Sequence, residues 1–121
     1  MSFVHLRITL CGKRIPVYAL LDSGNCLHEP LSGLPVLIIA RDYLTDKIGE
    51  RTVESLQKRS SLVRYRSIDS CGEMPCLPVD RLEMLENSHW KAAGDVYLAI
   101  SDHSFSGEHQ AIAPVGIYDE A

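Results

Sequence analysis

No apolar run in these 121 residues approaches the roughly 20 needed to cross a bilayer as a helix, and no signal peptide precedes the first apolar segment. The expectation is therefore a soluble chain. A basic excess is also missing. Twelve lysines and arginines stand against sixteen acidic residues, a net charge of −4, which removes the general electrostatic reason to bind nucleic acid or an anionic membrane. The short basic cluster Lys58, Arg59, Arg64 and Arg66 reads as a solvated face. Cysteine is sparse: Cys11, Cys26, Cys71 and Cys76 lack the paired two-residue spacing of a zinc knuckle, and the five histidines form no HExxH pattern. No metal and no cofactor are expected, and free thiols in a reducing compartment are the natural state of the cysteines. The sequence has no G-x-S-x-G elbow, and "SFSGEH" around Ser104 and Ser106 lacks the strand-then-helix context that exposes a nucleophilic serine. Cys26 and His28, two residues apart in a turn, do not make a recognisable cysteine-nucleophile arrangement. The length allows one domain, residues 1–121, with one core. It is too short for a two-lobed architecture with its own deep cleft, so such a groove would need a second chain.

What is present is mainly β patterning. "FVHLRITL" alternates, with Val4, Leu6, Ile8 and Leu10 on one face and Phe3, His5, Arg7 and Thr9 on the other. "CGKR" turns the chain, Gly12 being free to take positive φ, and "IPVYALL" returns as a second, more apolar strand. "EPLSGLP" is punctuated as a loop and "VLIIA" follows as a short buried strand. Leu44, Ile48, Val53 and Leu56 recur at helical spacing over residues 41 to 59, interrupted at Gly49, which predicts one or two short helices. "SLVRYRSI" and "CLPVDRLEML" read as strands on either side of a turn, "DSCGEM". "DVYLAIS" is a strand, "HSFSGEH" a turn, and "QAIAPVGI" a closing apolar segment.

The stretch "VYALLDSGN" ends an apolar strand on an acid, a hydroxyl and a glycine. A carboxylate at the end of a buried strand loses part of its hydration, and N–H groups turned toward it by Gly24 can compensate. Ser23 adds a hydroxyl able to tie the loop to another backbone. The triplet thus either closes a turn or holds one carboxylate, Asp22, in place for chemistry. One carboxylate alone is a weak catalyst of amide hydrolysis, which needs both a base for water and an acid for the leaving group. Two of them about 3 Å apart share one proton and supply both. No second Asp-Ser-Gly or Asp-Thr-Gly exists, because Asp69-Ser70 is followed by Cys71. Catalysis by Asp22 would require its twin across a two-fold axis.

The segment "ALLDSGNCLHEPLSGLPVLII", together with "RYRSIDSCGEMPCLPVD" and the closing "YLAIS…GEHQAIAP", resembles the sporulation sigma-E factor-processing peptidases. These are membrane-bound aspartic peptidases whose soluble part is similar to a retroviral protease subunit. The resemblance implies a mainly β, retropepsin-like half-barrel with one or two short helices, completed by homodimerisation. It implies Asp22 as catalytic acid, Ser23, Gly24 and Asn25 as support of the active-site loop, and Ser70, Cys71, Gly72 and Glu73 as a candidate flap over the substrate. The substrate it implies is the N-terminal pro-segment of a sigma-E precursor, cut on the mother-cell cytoplasmic side of the sporulation septum, with a protein secreted from the forespore as activator. Proline in "AIAP" stands where that fold usually has glycine. The membrane helices expected before such a domain do not precede Met1-Ser2, which reads as the start of a soluble fragment. The alternative is a non-catalytic retropepsin-like interaction module that binds a partner protein, with Asp22 only closing a turn.

Overall fold

A computed structural model describes residues 2–25, 27–66 and 71–118. The first hairpin pairs β1 (Ser2–Leu10) with β2 (Lys13–Leu21) along their whole length, from Ser2 opposite Leu21 to Leu10 opposite Lys13. Cys11 and Gly12, at φ 53° and 74°, form the two-residue turn whose twist matches that of the strands. β3 (Val36–Ala40) leads directly into α1 (Arg41–Ile48) and α2 (Glu50–Arg59). Gly49 at φ 91° separates the helices, a backbone setting in which a side chain would be strained. β4 (Ser61–Arg66), β5 (Cys71–Pro78), β6 (Arg81–Glu86), β7 (His89–Ala92), β8 (Tyr97–Ser101) and β9 (Ala111–Ala113) follow, and a 3-10 turn covers Val115–Tyr118.

Among the described residues all nine strands join one open sheet in the order β4-β5-β8-β3-β9-β2-β1-β6-β7. The β2–β9 and β3–β8 pairings are parallel and the rest antiparallel. The product is mainly β with two short helices, as the patterning predicts, and its unclosed sheet is consistent with the half-barrel that the resemblance implies. Its main core gathers Leu6, Ile8, Ile15, Val17, Ile39 and Leu98 against Leu44, Ile48, Val53 and Leu56 of the helices. Each such fully buried aliphatic side chain contributes about 1.5–3 kcal/mol of burial. A second cluster, Val36, Val63, Met74, Cys76 and Ala99, packs separately. Directly opposed residues share a face of a sheet, so the pairings Leu20 with Ile112, Ile112 with Ile38, and Ile38 with Ala99 carry that second face across four strands.

Two expectations need correction. "CLPVDRLEML" is not one strand. Pro78 lacks the N–H to continue a ladder, β5 ends there, and the Asp80 N–H binds the Thr9 carbonyl at 3.0 Å. β5 and β6 then lie near opposite ends of the sheet. The turn expected at "DSCGEM" is also misplaced, because Cys71, Gly72, Glu73 and Met74 belong to β5 and face Arg66, Tyr65, Arg64 and Val63 of β4. Gly72 pairs with Tyr65 in this ladder, and the Tyr65 side chain lies over it. A β-carbon there would come within 2.8 Å of the Tyr65 hydroxyl. β7 was not anticipated; it pairs with β6 across Asn87 and Ser88, which take φ 51° and 66° and form another tight turn.

Candidate active site

Asp22 is the first residue after β2, and the sheet itself anchors it. Its N–H donates to the Ala113 carbonyl of β9 at 2.9 Å, continuing the parallel β2–β9 ladder one step past the strand. The chain then turns sharply, and the Asn25 N–H donates to the Asp22 carbonyl at 3.1 Å. Within the turn the Gly24 N–H donates to Asp22 Oδ1 at 2.9 Å, as the triplet predicts. A β-carbon on Gly24 would stand 3.2 Å from that oxygen, so the glycine admits a close approach that a larger residue would crowd. Among the described residues Oδ2 of Asp22 has no hydrogen-bond donor. The carboxylate is partly exposed, and Ser23 beside it is exposed.

Asn25 holds this loop to the neighbouring strand. Its Nδ2 donates to the Val36 carbonyl at 3.0 Å and its Oδ1 accepts the Leu27 N–H at 3.2 Å. Val36 opens β3, so the side chain bridges the end of β2 to the start of β3 and fixes the turn from both sides.

The next loop is built on a second acid. Glu29 is 2% exposed, and its two oxygens accept the Leu31 N–H at 3.1 Å and the Ser32 N–H at 2.7 Å. The Leu31 and Ser32 donors hold its carboxyl below the ordinary glutamate range, against the opposing effect of burial. Backbone bonds from Glu29 N–H to the Leu34 carbonyl and from Gly33 N–H to the Glu29 carbonyl close the loop. Leu31 projects from it 94% exposed. The sequence marks Glu29 only as part of a loop; its burial was not visible there.

Asp22 lies at one end of an open groove of about 1050 Å³. Leu27, Ile38 and Ile112 give it an apolar floor; Arg64, Tyr65, Arg66, Cys71, Gly72 and Glu73 of β4 and β5 form one wall. The other end is made by Ser101, Asp102, His103 and Phe105, at and beyond the end of β8. Ser101 Oγ accepts the His103 N–H at 3.1 Å, and Phe105 stacks on His109 with ring centroids 5.5 Å apart. This end of the groove was missed in the sequence, where "HSFSGEH" carries no signal beyond a turn.

The groove brings Asp22, Gly24 and Asn25 together with Cys71, Gly72 and Glu73 of the candidate flap. Ser70 lies outside the described residues, as does Cys26. Asp102 is the other aspartate on the groove, and it does not pair with Asp22 in the same chain. Ser101 pairs with Ala40, whose N–H donates to the Gln110 carbonyl, and the Gln110 N–H donates to the Tyr18 carbonyl. Asp102 is thus near the level of Tyr18, four residues before Asp22, which at about 3.3 Å per residue separates the two by roughly 13 Å along the strands. Of the described cysteines, Cys76 is fully buried and burial pushes its thiol up, opposite to what a thiolate nucleophile needs. Among the described residues no cluster of His, Cys, Asp and Glu could hold a metal ion, and no helix is long and apolar enough to cross a membrane.

A half-barrel with a strand-end carboxylate at one end of an open groove defines a small β domain. The chain belongs to the peptidase family described as sporulation factor SpoIIGA, whose family model matches residues 1–115. Comparison with curated proteins and with solved structures gave no match. Membership assigns it a sporulation peptidase role and a protein substrate.

Proposed function

We propose that the chain is an aspartic endopeptidase domain of retropepsin-like construction that acts as a homodimer, holding the attacking water between two Asp22 carboxylates. The observation that carries this reading is the state of Asp22: one oxygen is held by the Gly24 N–H, the other has no donor among the described residues, and the groove opens from that point. A two-fold axis beside Asp22 would bring two such acids together, one ionised as base and one protonated as acid. The surroundings suit a second copy. Phe3, Val115 and Tyr118 are 43%, 48% and 52% exposed, and all lie on segments in register with the end of β2: Phe3 opposite Leu20, and the other two just past Ala113. Apolar side chains gathered about a lone catalytic acid mark a surface that another molecule covers. By this reading Ser23, exposed at the loop, braces the two loops across the axis.

By this reading the substrate is the N-terminal pro-segment of the sigma-E precursor, cut beside the septal membrane on the mother-cell cytoplasmic side. The forespore-secreted activator would act by pairing the protomers, since one acid per chain makes the activity depend on assembly. Co-expression of the precursor with Asp22→Asn, in a form shown to stay folded, tests the site. Loss of processing is expected; retained processing would remove Asp22 from the reaction and favour the non-catalytic module.

A further inference from the structure

The two helices pack on one face of the sheet, with Leu6, Ile8 and Val17 of the first hairpin. The opposite face of β2, β1, β6 and β7 carries large side chains in rows fixed by the register. Tyr18 stands opposite His5, Pro16 and Glu83 opposite Arg7, and Arg14 and Arg81 opposite Thr9. Leu85 and Trp90 face each other on β6 and β7. His5, Arg14, Arg81, Leu85 and Trp90 are all exposed. Tryptophan, tyrosine and arginine are the side chains that most often dominate the energy of a protein interface. Here they are also held in advance. Arg7 donates through Nε and Nη2 to Glu83, both at 2.9 Å, Glu83 is 7% exposed, and the guanidinium lies 4.4 Å from the centre of the Trp90 ring. A tryptophan braced this way loses less freedom when something docks on it. Arg7, Arg14 and Arg81 all stand around the one carboxylate of Glu83, so this edge keeps an excess of positive charge on a chain of net −4.

The occupant follows from what the face adjoins. Phe105, which lines the groove, stacks on His109; His109 packs on Phe3 with ring centroids 5.9 Å apart, Phe3 stacks on Tyr18 at 5.2 Å, and Tyr18 meets His5 at 4.8 Å. One unbroken run of rings therefore leads from the groove onto the face. Leu85 is level with His5, because each is two residues from the pair Glu83 and Arg7. Trp90 is then about 13 Å along the strands from Asp22 and three strands over from β2, about 14 Å, a diagonal that an extended chain covers in roughly six residues. We propose that this face is a second docking site for the protein substrate. It takes a segment of that substrate outside the groove, roughly six or more residues from the cut bond, with apolar side chains on Trp90, Leu85 and Tyr18 and an acidic flank toward Arg14 and Arg81. The inference rests on the peptidase reading of the groove.

The test compares two substrates: the intact precursor, and a synthetic peptide holding only about five residues on either side of the cut, which is mapped by mass spectrometry. Wild-type protein should process the precursor with a kcat/KM at least about tenfold above that for the peptide. Trp90→Ala, and separately Arg14→Glu/Arg81→Glu, should each lower kcat/KM for the precursor at least about tenfold, the scale of removing an interfacial hot spot, and leave that for the peptide unchanged. Binding is read apart from turnover by adding the same changes to Asp22→Asn protein and measuring its affinity for immobilised precursor, which should weaken to the same degree. Equal efficiency of the wild type on both substrates, unaltered precursor binding in both variants, or equal losses on precursor and peptide would each overturn the proposal. Equal losses accompanied by a shift from dimer to monomer would assign the face to the second copy instead. Asp22→Asn alone is assayed for cleavage: if it still processes the precursor, the peptidase reading falls, and if it is inactive while the face variants behave as wild type, only the second docking site falls.

Discussion

Asp22 and Glu29 are two acids seven residues apart, and the same few turns of chain treat them in opposite ways. Glu29 is buried and both of its oxygens take N–H donors from its own loop. Asp22 is partly exposed, takes one such donor, and faces a groove. A buried carboxylate with both oxygens engaged by its own loop shapes the backbone and has little left for a reactant, whereas one fixed through a single oxygen is positioned and still available. The contrast separates a structural acid from a candidate catalytic one on geometry alone.

The comparison can be broken most sharply at Asp22 itself. Asp22→Asn keeps the shape and the Gly24 contact, so processing should be abolished while the thermal midpoint moves little; a large fall in the midpoint would make Asp22 a structural acid too. Glu29→Ala should do the reverse. Two loop N–H groups lose their acceptor, the midpoint of thermal unfolding drops, and activity falls only as the folded fraction falls. Because the folded-state pKa of Glu29 lies below its ordinary value of 4.5, its contribution is present above that value and is lost as pH falls through the folded-state value. Thermal unfolding followed from pH 6 downward should therefore show a smaller loss in Glu29→Ala than in the wild type. Asn25→Ala lies between the two: it removes the clamp on Val36, costing about 1–3 kcal/mol for a buried carbonyl left without its donor. Activity should fall more than stability does, read as processing rate against denaturation midpoint. The smallest effect is expected from Gly72→Ala. The new methyl displaces the Tyr65 ring, the free end of a side chain, so stability should barely change while processing falls a few-fold.

Much of the strand order along the chain was legible because alternation and turn residues are local signals. β1, β2, β3, the two helices broken at Gly49, and β8 all lie where the periodicity puts them. The failures have local causes as well. Cys71 to Met74 look like a turn because a glycine sits among them, and their ladder with β4, a pairing not written in the segment, makes them strand. The break after Pro78 was hidden by the apolar residues on either side. Of the candidate site, Asp22 and its glycine could be read from strand followed by acid followed by glycine. The far end of the groove at Asp102, His103 and Phe105 could not, since about eighty residues of chain separate it from Asp22 and only the β3–β8 and β2–β9 pairings bring them to one face.

The central claim is that one Asp22 is useless without another. Wild-type protein mixed and re-equilibrated with increasing Asp22→Asn protein, at constant total concentration, tests it directly. If the active unit needs both acids, equal amounts with random pairing leave about one quarter of the wild-type rate, and the rate follows the square of the wild-type fraction. A rate that follows that fraction linearly would show that a single Asp22 suffices and would contradict the account.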